Sequence, residues 1–208
     1  ANAAWKVFPA LICGNSVVLK AAEDTPATAW IFSKIFHDSD EFPGGVLNVI
    51  QGFGIEAGEP LVDDERIPVI SFTGSTGVGR SIARKASARL AKVSLELGGK
   101  NPLVVCDDAD LENAVKWVCL SAFSNAGQRC ASCSRVIVFD SVYDTFKQML
   151  LKAARALKLG PENGDDLGPV INEKQLGNMI KAVDEAVTNG ADVLCGGARM
   201  TGDNHKNG

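Results

Sequence analysis

The sequence predicts an α/β protein with parallel strands. Two observations carry the prediction. The apolar period switches repeatedly between strand-like alternation and helix-like spacing. Successive short apolar runs are also separated by single amphipathic segments, a connection that parallel strands require. With 208 residues, 46% of them apolar and 22% charged, the chain has the make-up of a packed globular protein, one large domain or parts of two.

The elements follow in order. Ser16-Val17-Val18-Leu19-Lys20 reads as a short buried strand, and Thr25-Pro26 as a helix N-cap followed by Pro at the first helical position. That helix should run to about His37, with Trp30, Ile31, Lys34 and Ile35 at helical spacing. Pro43-Gly44-Gly45 breaks the chain before a strand at Val46–Ile50. A strand at Pro68–Phe72, a glycine turn, a helix from about Thr76 to Ala88 and an alternating strand at Lys92–Leu97 form a second unit. The Gly98-Gly99 doublet is the expected domain boundary. Beyond it come a strand at Leu103–Cys106, a helix capped by Asp110 with apolar positions 111, 114, 115, 118 and 122, and a β-branched strand at Arg135–Phe139. Two helices are expected near 141–158 and 172–188, separated by the loop Gly160–Gly164, and then a short strand at Asp192–Leu194.

Charge and cysteine usage exclude several classes. A net charge of −4 with no Lys/Arg block gives no footing for nucleic acid. No apolar run approaches the roughly 20 residues that cross a bilayer, and the start lacks the order of a signal peptide. Six cysteines (13, 106, 119, 130, 133 and 195) are too sparse for a disulfide framework, which points to a reducing, cytoplasmic setting. The chain begins without Met and stops in the polar run Asn204–Gly208, so it reads as a piece of a longer protein.

Four segments could carry chemistry. Phe72-Thr73-Gly74-Ser75-Thr76-Gly77-Val78-Gly79 joins a strand to a helix, where N–H groups and the helix dipole suit a phosphate, although a purely structural glycine turn would look the same. It is neither a Gly-x-Gly-x-x-Gly fingerprint nor a Walker loop. Lys20 ends a strand, with Glu23 three residues on. The pair is either a ribose-holding carboxylate beyond a sheet edge or a solvated charge pair. Glu96, between two leucines and beside two glycines, is either a partly desolvated general base or a carboxylate on the open face of a strand. Cys130, preceded by Arg129, has the cationic neighbour that suits a sulfur nucleophile. His37 and His205 lie in the wrong places to activate it, which argues against Cys–His chemistry. Cys130-x-x-Cys133 has redox spacing, but it lacks the Pro and the context of a thioredoxin site, and no second Cys/His pair completes a metal site.

Leu95-Glu96-Leu97-Gly98-Gly99-Lys100-Asn101-Pro102 and Asn125-Ala126-Gly127-Gln128-Arg129-Cys130, with Glu96 and Cys130 34 residues apart, resemble the paired signature of the NAD(P)-dependent aldehyde dehydrogenases. Phe72–Ser75 is similar to that family's phosphate-binding turn, and Pro9-Ala10-Leu11 through Gly14-Asn15 to Lys20 resembles its upstream cofactor region. The resemblance implies a parallel, Rossmann-like NAD-binding half-domain over 1–99 and the first part of an α/β catalytic domain over 100–208. It implies that Cys130 attacks an aldehyde carbonyl to give a thiohemiacetal and then a thioester, with Glu96 activating the hydrolytic water. The Cys130 N–H would form half of an oxyanion hole. Lys20 and Glu23 would hold the adenosine ribose, which favours NAD over NADP. Gly74, Ser75 and Gly79 would hold the pyrophosphate, and Gly54 and Leu97 complete the cofactor-binding set. It further implies a small-molecule aldehyde as substrate and a homo-oligomeric parent, dimer or tetramer. The family's Trp-Asn-Phe-Pro and Glu-x-Phe-Gly-Pro strings are absent, and Cys133 could trap Cys130 as a disulfide. A non-catalytic dinucleotide-binding chain of the same fold, and a cofactor-free cysteine acyltransferase or hydrolase, stay open beside this reading.

Overall fold

The structure, a computed structural model, describes residues 2–205. The chain divides into two compact units, residues 1–97 and 98–208. Among the described residues the first holds two parallel strand pairs and the second one, each with its helices.

In the first unit, β1 (Val17–Lys20) pairs in parallel with β2 (Leu47–Ile50), from Val17 opposite Leu47 to Lys20 opposite Ile50. A helix, α2 (Pro26–His37), connects them. The Thr25 hydroxyl makes no capping bond, contrary to expectation. The Thr25 backbone stands at φ −136°, ψ 51°, outside the extended region from which a capping side chain reaches the N–H groups of the first turn. The second pair is β3 (Val69–Gly74) and β4 (Lys92–Leu97), joined by α4 (Thr76–Ala88) and also parallel.

The sequence reading did not assign two helices of this unit. One is α1 (Asn2–Ile12), which contains Pro9 and is anchored by the fully buried Val7. Pro9 costs the helix a backbone bond, and burial of Val7 together with the ring contacts of Phe8 with Phe32 and Phe36 compensates. The other is α3 (Glu59–Asp63), entered through a wide turn at Gly54–Gly58 and too short to show a period. It is fastened to α4 by Lys85, which pairs with Glu59 and Asp63. Arg89, at the end of α4, donates to the carbonyls of Val62 and Ile67.

In the second unit, β5 (Asn101–Val105) lies parallel to β6 (Cys133–Val138). The connection is α5 (Leu111–Phe123), capped by the Asp110 carboxylate, which accepts from the Asn113 N–H at 3.1 Å. Two helices follow, α6 (Asp140–Ala156) and α7 (Glu173–Thr188), the latter capped by Asn172. Val105, Val115, Val118 and Phe146 form the core between β5, α5 and α6. The strand expected at 192–194 does not form. A strand needs a partner edge, and among the described residues none lies beside this segment. The strands also form three separate pairs among the described residues rather than one continuous sheet.

Candidate active site

All seven residues expected to touch a cofactor lie in the first unit. Lys20 ends β1 half-buried, and its Nζ lies 2.7 Å from Glu23 Oε2. The hydrogen bond from Lys20 is the largest influence on Glu23 and holds its carboxyl below the usual range, with help from Glu23's own backbone N–H. The turn Gly54–Gly58 ends beside the Lys20 stem: a Cβ on Gly58 would stand 4.0 Å from Lys20 Cδ.

At the end of β3, Gly74 faces Leu97 of β4 across the ladder. Ser75 is the N-cap of α4, its Oγ accepting from the Val78 N–H at 3.3 Å. The Gly79 N–H is taken by the Ser75 carbonyl at 2.9 Å. That leaves the Thr76 and Gly77 N–H groups as outward donors at the positive end of the helix. Gly79 is buried against β4, where a Cβ would meet Leu97 Cδ2 at 2.6 Å. The missing side chain is therefore what lets α4 sit close on β4. Glu96 faces Thr73 across the ladder and lies exposed with Lys92 and Ser94, the open-face alternative of the sequence reading.

Cys130 belongs to the second unit and is built differently. The chain leaves α5 through Ser124–Gly127, where Asn125 (φ 56°), Ala126 (φ 52°) and Gly127 (φ 70°) are consecutively left-handed. Such backbone costs a non-glycine residue about 1–2 kcal/mol, so the surroundings must impose it. They do so with side-chain amides. Asn125 Nδ2 donates to Gln128 O, and Gln128 Nε2 donates back to Asn125 O, each at 3.2 Å. Gln128 Oε1 also accepts from the Ile171 N–H at 2.9 Å, which ties the turn to the segment before α7. A Cβ on Gly127 would stand 2.9 Å from the Ala122 carbonyl oxygen.

Beyond the turn, the Cys130 thiol is exposed. Both peptides flanking it are held: the Arg129 carbonyl accepts from the Ser132 N–H at 3.2 Å, and the Cys130 carbonyl accepts from Asn101 Nδ2 at 2.6 Å. Cys133 is also a free thiol, its Sγ donating to the Arg135 carbonyl at 3.3 Å. Ser132 is buried with its hydroxyl unpartnered. The sequence reading gave no role to Asn101 or Gln128. The available signal was Pro102, which cannot donate to a strand ladder and so calls for a substitute donor nearby.

Among the described residues no three His, Cys, Asp or Glu side chains gather as metal ligands, and no helix is long and apolar enough to cross a membrane.

The profile of the aldehyde dehydrogenase family matches residues 1–208. The chain belongs to that family. It is 43% identical over 201 residues to a mitochondrial aldehyde dehydrogenase of Leishmania tarentolae, covering 95% of this chain and 40% of that protein. It is likewise 43% identical over 197 residues to an NADP(+) D-glyceraldehyde dehydrogenase of Thermoplasma acidophilum, covering 94% and 40%. Among solved structures, 3,6-anhydro-L-galactose dehydrogenase in complex with NAP superposes with a TM-score of 0.95 at 38% identity, over 99% of this chain and 43% of that one. Betaine aldehyde dehydrogenase of Staphylococcus aureus in complex with NAD+ gives 0.94 at 35% identity, over 98% and 41%. The α/β fold is thus that of the family, and the chain spans about 40% of the length of the curated relatives it matches.

Proposed function

We propose that this chain supplies the nucleophile, the general base and the phosphate-binding turn of an aldehyde dehydrogenase that oxidises an aldehyde to a carboxylate. The observation that carries the reading is Cys130, an exposed thiol whose two flanking peptides are both pinned. The Cys130 thiol loses its proton to solvent, its Sγ forms a C–S bond to the aldehyde carbon as the carbonyl π bond breaks, and the developing oxyanion is met by the Cys130 N–H. A bound nicotinamide supplies one thing, acceptance of the hydride from that carbon. Glu96, exposed on β4, takes a proton from the water that cleaves the resulting thioester, releasing the carboxylate and the Cys130 thiol.

The residues present fit a dinucleotide. The outward N–H groups of Thr76 and Gly77, with the Ser75 hydroxyl, suit a pyrophosphate at the head of α4. Lys20 and Glu23 suit ribose hydroxyls, and the ionised Glu23 carboxylate opposes a 2′-phosphate, so NAD is the preferred acceptor. Gly54 opens the turn whose other end, Gly58, lies beside Lys20, while Gly74, Gly79 and Leu97 would shape the floor beneath the phosphates. In this reading residues 1–99 are the cofactor-binding part and 100–208 the first part of the catalytic domain.

In the family-length protein that contains this chain, Cys130→Ala should abolish NADH formation from a panel of aldehydes. Appreciable turnover by that variant sinks the assignment. Glu96→Gln should slow steady-state turnover by about 100-fold while sparing the first turnover. An equal fall in both would remove Glu96 from the base role. For the chain by itself the reading is dinucleotide binding without turnover. It is favoured by the exposure of large apolar side chains such as Trp5, Ile12 and Leu90.

A further inference from the structure

Asn101 opens β5 in a place where the ladder itself is interrupted. Asn101 is aligned with Cys133, but its neighbour Pro102 is aligned with Arg135, so the register skips Ser134. Proline has no N–H to give, and a bulge at that point is the expected response. The Asn101 side chain adds donors where the proline has none: Nδ2 donates to Ser132 O at 3.0 Å and to Cys130 O at 2.6 Å. Both acceptors are carbonyl oxygens, which fixes the carboxamide's orientation, since only its NH2 end can serve them and its two protons match the two acceptors.

We propose that Asn101 is a positioning residue for Cys130, aiming the thiol by holding the carbonyl of the nucleophile's own peptide. This rests on the reading of Cys130 as nucleophile. The Ser132 N–H holds the peptide before Cys130 through Arg129 O, and Asn101 holds the one after it. With both peptide planes fixed, the Cα–Cβ bond of Cys130 and the direction of its N–H are fixed as well. Without Asn101, the second plane is free to turn, and the left-handed turn upstream constrains only the approach to Cys130. Attack geometry is sensitive to this, because an activated nucleophile loses rate steeply when it is misplaced by about 1 Å.

The test uses the family-length protein at saturating NAD, with propanal as the probe aldehyde and stopped-flow detection of first-turnover NADH. Asn101→Leu keeps the branched outline and removes both donors, whereas Asn101→Asp keeps the shape and faces two carbonyls with a carboxylate. Both should lower the first-turnover rate constant roughly tenfold at unchanged amplitude per NAD-binding site and unchanged KM. Asn101→Ser, with one shorter donor, should recover part of the rate. A fall in amplitude with the rate constant intact would make Asn101 a structural support only and overturn the proposal, as would a rate within about twofold of the unsubstituted protein. If the Leu and Asp variants fail to fold, the Ser variant decides by the same two readouts. Cys130→Ser separates the two levels. Rapid NADH formation by that variant would sink the nucleophile reading itself, whereas an inert Cys130→Ser beside a fully active Asn101→Leu would sink only the positioning role.

Discussion

The head of α4 and the loop before β6 are both candidate reaction surfaces, and they are made by opposite means. At Gly74–Gly79 the backbone is ordinary: a strand ends, Ser75 caps, and a helix begins with its donors pointing outward. At Asn125–Cys130 three consecutive residues are left-handed, and three carboxamides, from Asn101, Asn125 and Gln128, hold the chain. A site that receives an anion can be built from unstrained secondary structure, because helix ends already offer donors. A site that must aim one sulfur atom needs the backbone fixed residue by residue, and strain offset by specific hydrogen bonds does that.

Glycine substitutions give the largest contrast. Gly127→Ala places a Cβ at φ 70° and 2.9 Å from the backbone oxygen of Ala122, neither of which can yield easily. We expect a loss of about 2–3 kcal/mol in urea denaturation. Gly79→Ala also meets a close atom, Leu97 Cδ2 at 2.6 Å, but that atom ends a flexible side chain and alanine favours the helix by about 1 kcal/mol. Its net cost should stay within about 1 kcal/mol. Equal losses for the two would mean that the turn before Cys130 is no more rigid than the α4–β4 contact.

Two serines should move stability in opposite directions. Ser75→Ala removes the cap of α4 and should cost about 1 kcal/mol. Ser132→Ala removes a buried hydroxyl that has no partner and should leave stability unchanged or raise it by about 1 kcal/mol. Matching losses at both positions would show that the Ser132 hydroxyl is satisfied in solution and that the loop before β6 is better paired than its hydrogen bonds indicate.

Legibility in the sequence followed the same division. The six strands and five of the helices could be read because Val17–Lys20, Lys92–Leu97 and their neighbours keep the periods that pleats and helices impose. The failures have physical causes. Residues 2–12 hold a proline inside a helix that tertiary burial stabilises, and Glu59–Asp63 is barely longer than one turn. Residues 192–194 have strand character but no edge to join. In the site, the turn at Gly74–Gly79 was legible because a glycine-rich run between an apolar strand and a helical period marks a strand-to-helix junction. Asn101 was not, because its role depends on a ladder slip at Pro102 that places it across from residues some thirty positions away.

The smallest effect concerns Glu23. Its carboxyl is held below the ordinary value of 4.5 chiefly by the Lys20 hydrogen bond. A depressed folded-state value means that the stabilisation is fully present above the ordinary value and is lost as the pH falls through the lowered one. Lys20→Met should therefore raise the Glu23 midpoint toward 4.5, though not all the way, because Glu23's own backbone N–H remains. Asp64 is an internal standard: its carboxyl, held at about 2 by Arg66, has no contact with Lys20 and should not move. Carboxyl-carbon NMR titration reads both at once. A Glu23 midpoint that stays in place would show that the Lys20–Glu23 pair is not formed in solution. The two side chains would then act separately, and the argument that an ion-paired carboxylate waits for ribose hydroxyls at the end of β1 would lose its footing. A midpoint that rises while Asp64 holds would mark the end of β1 as preorganised by a side-chain pair, the same device that the loop around Cys130 uses, here at much lower energetic stakes because both groups remain partly in water.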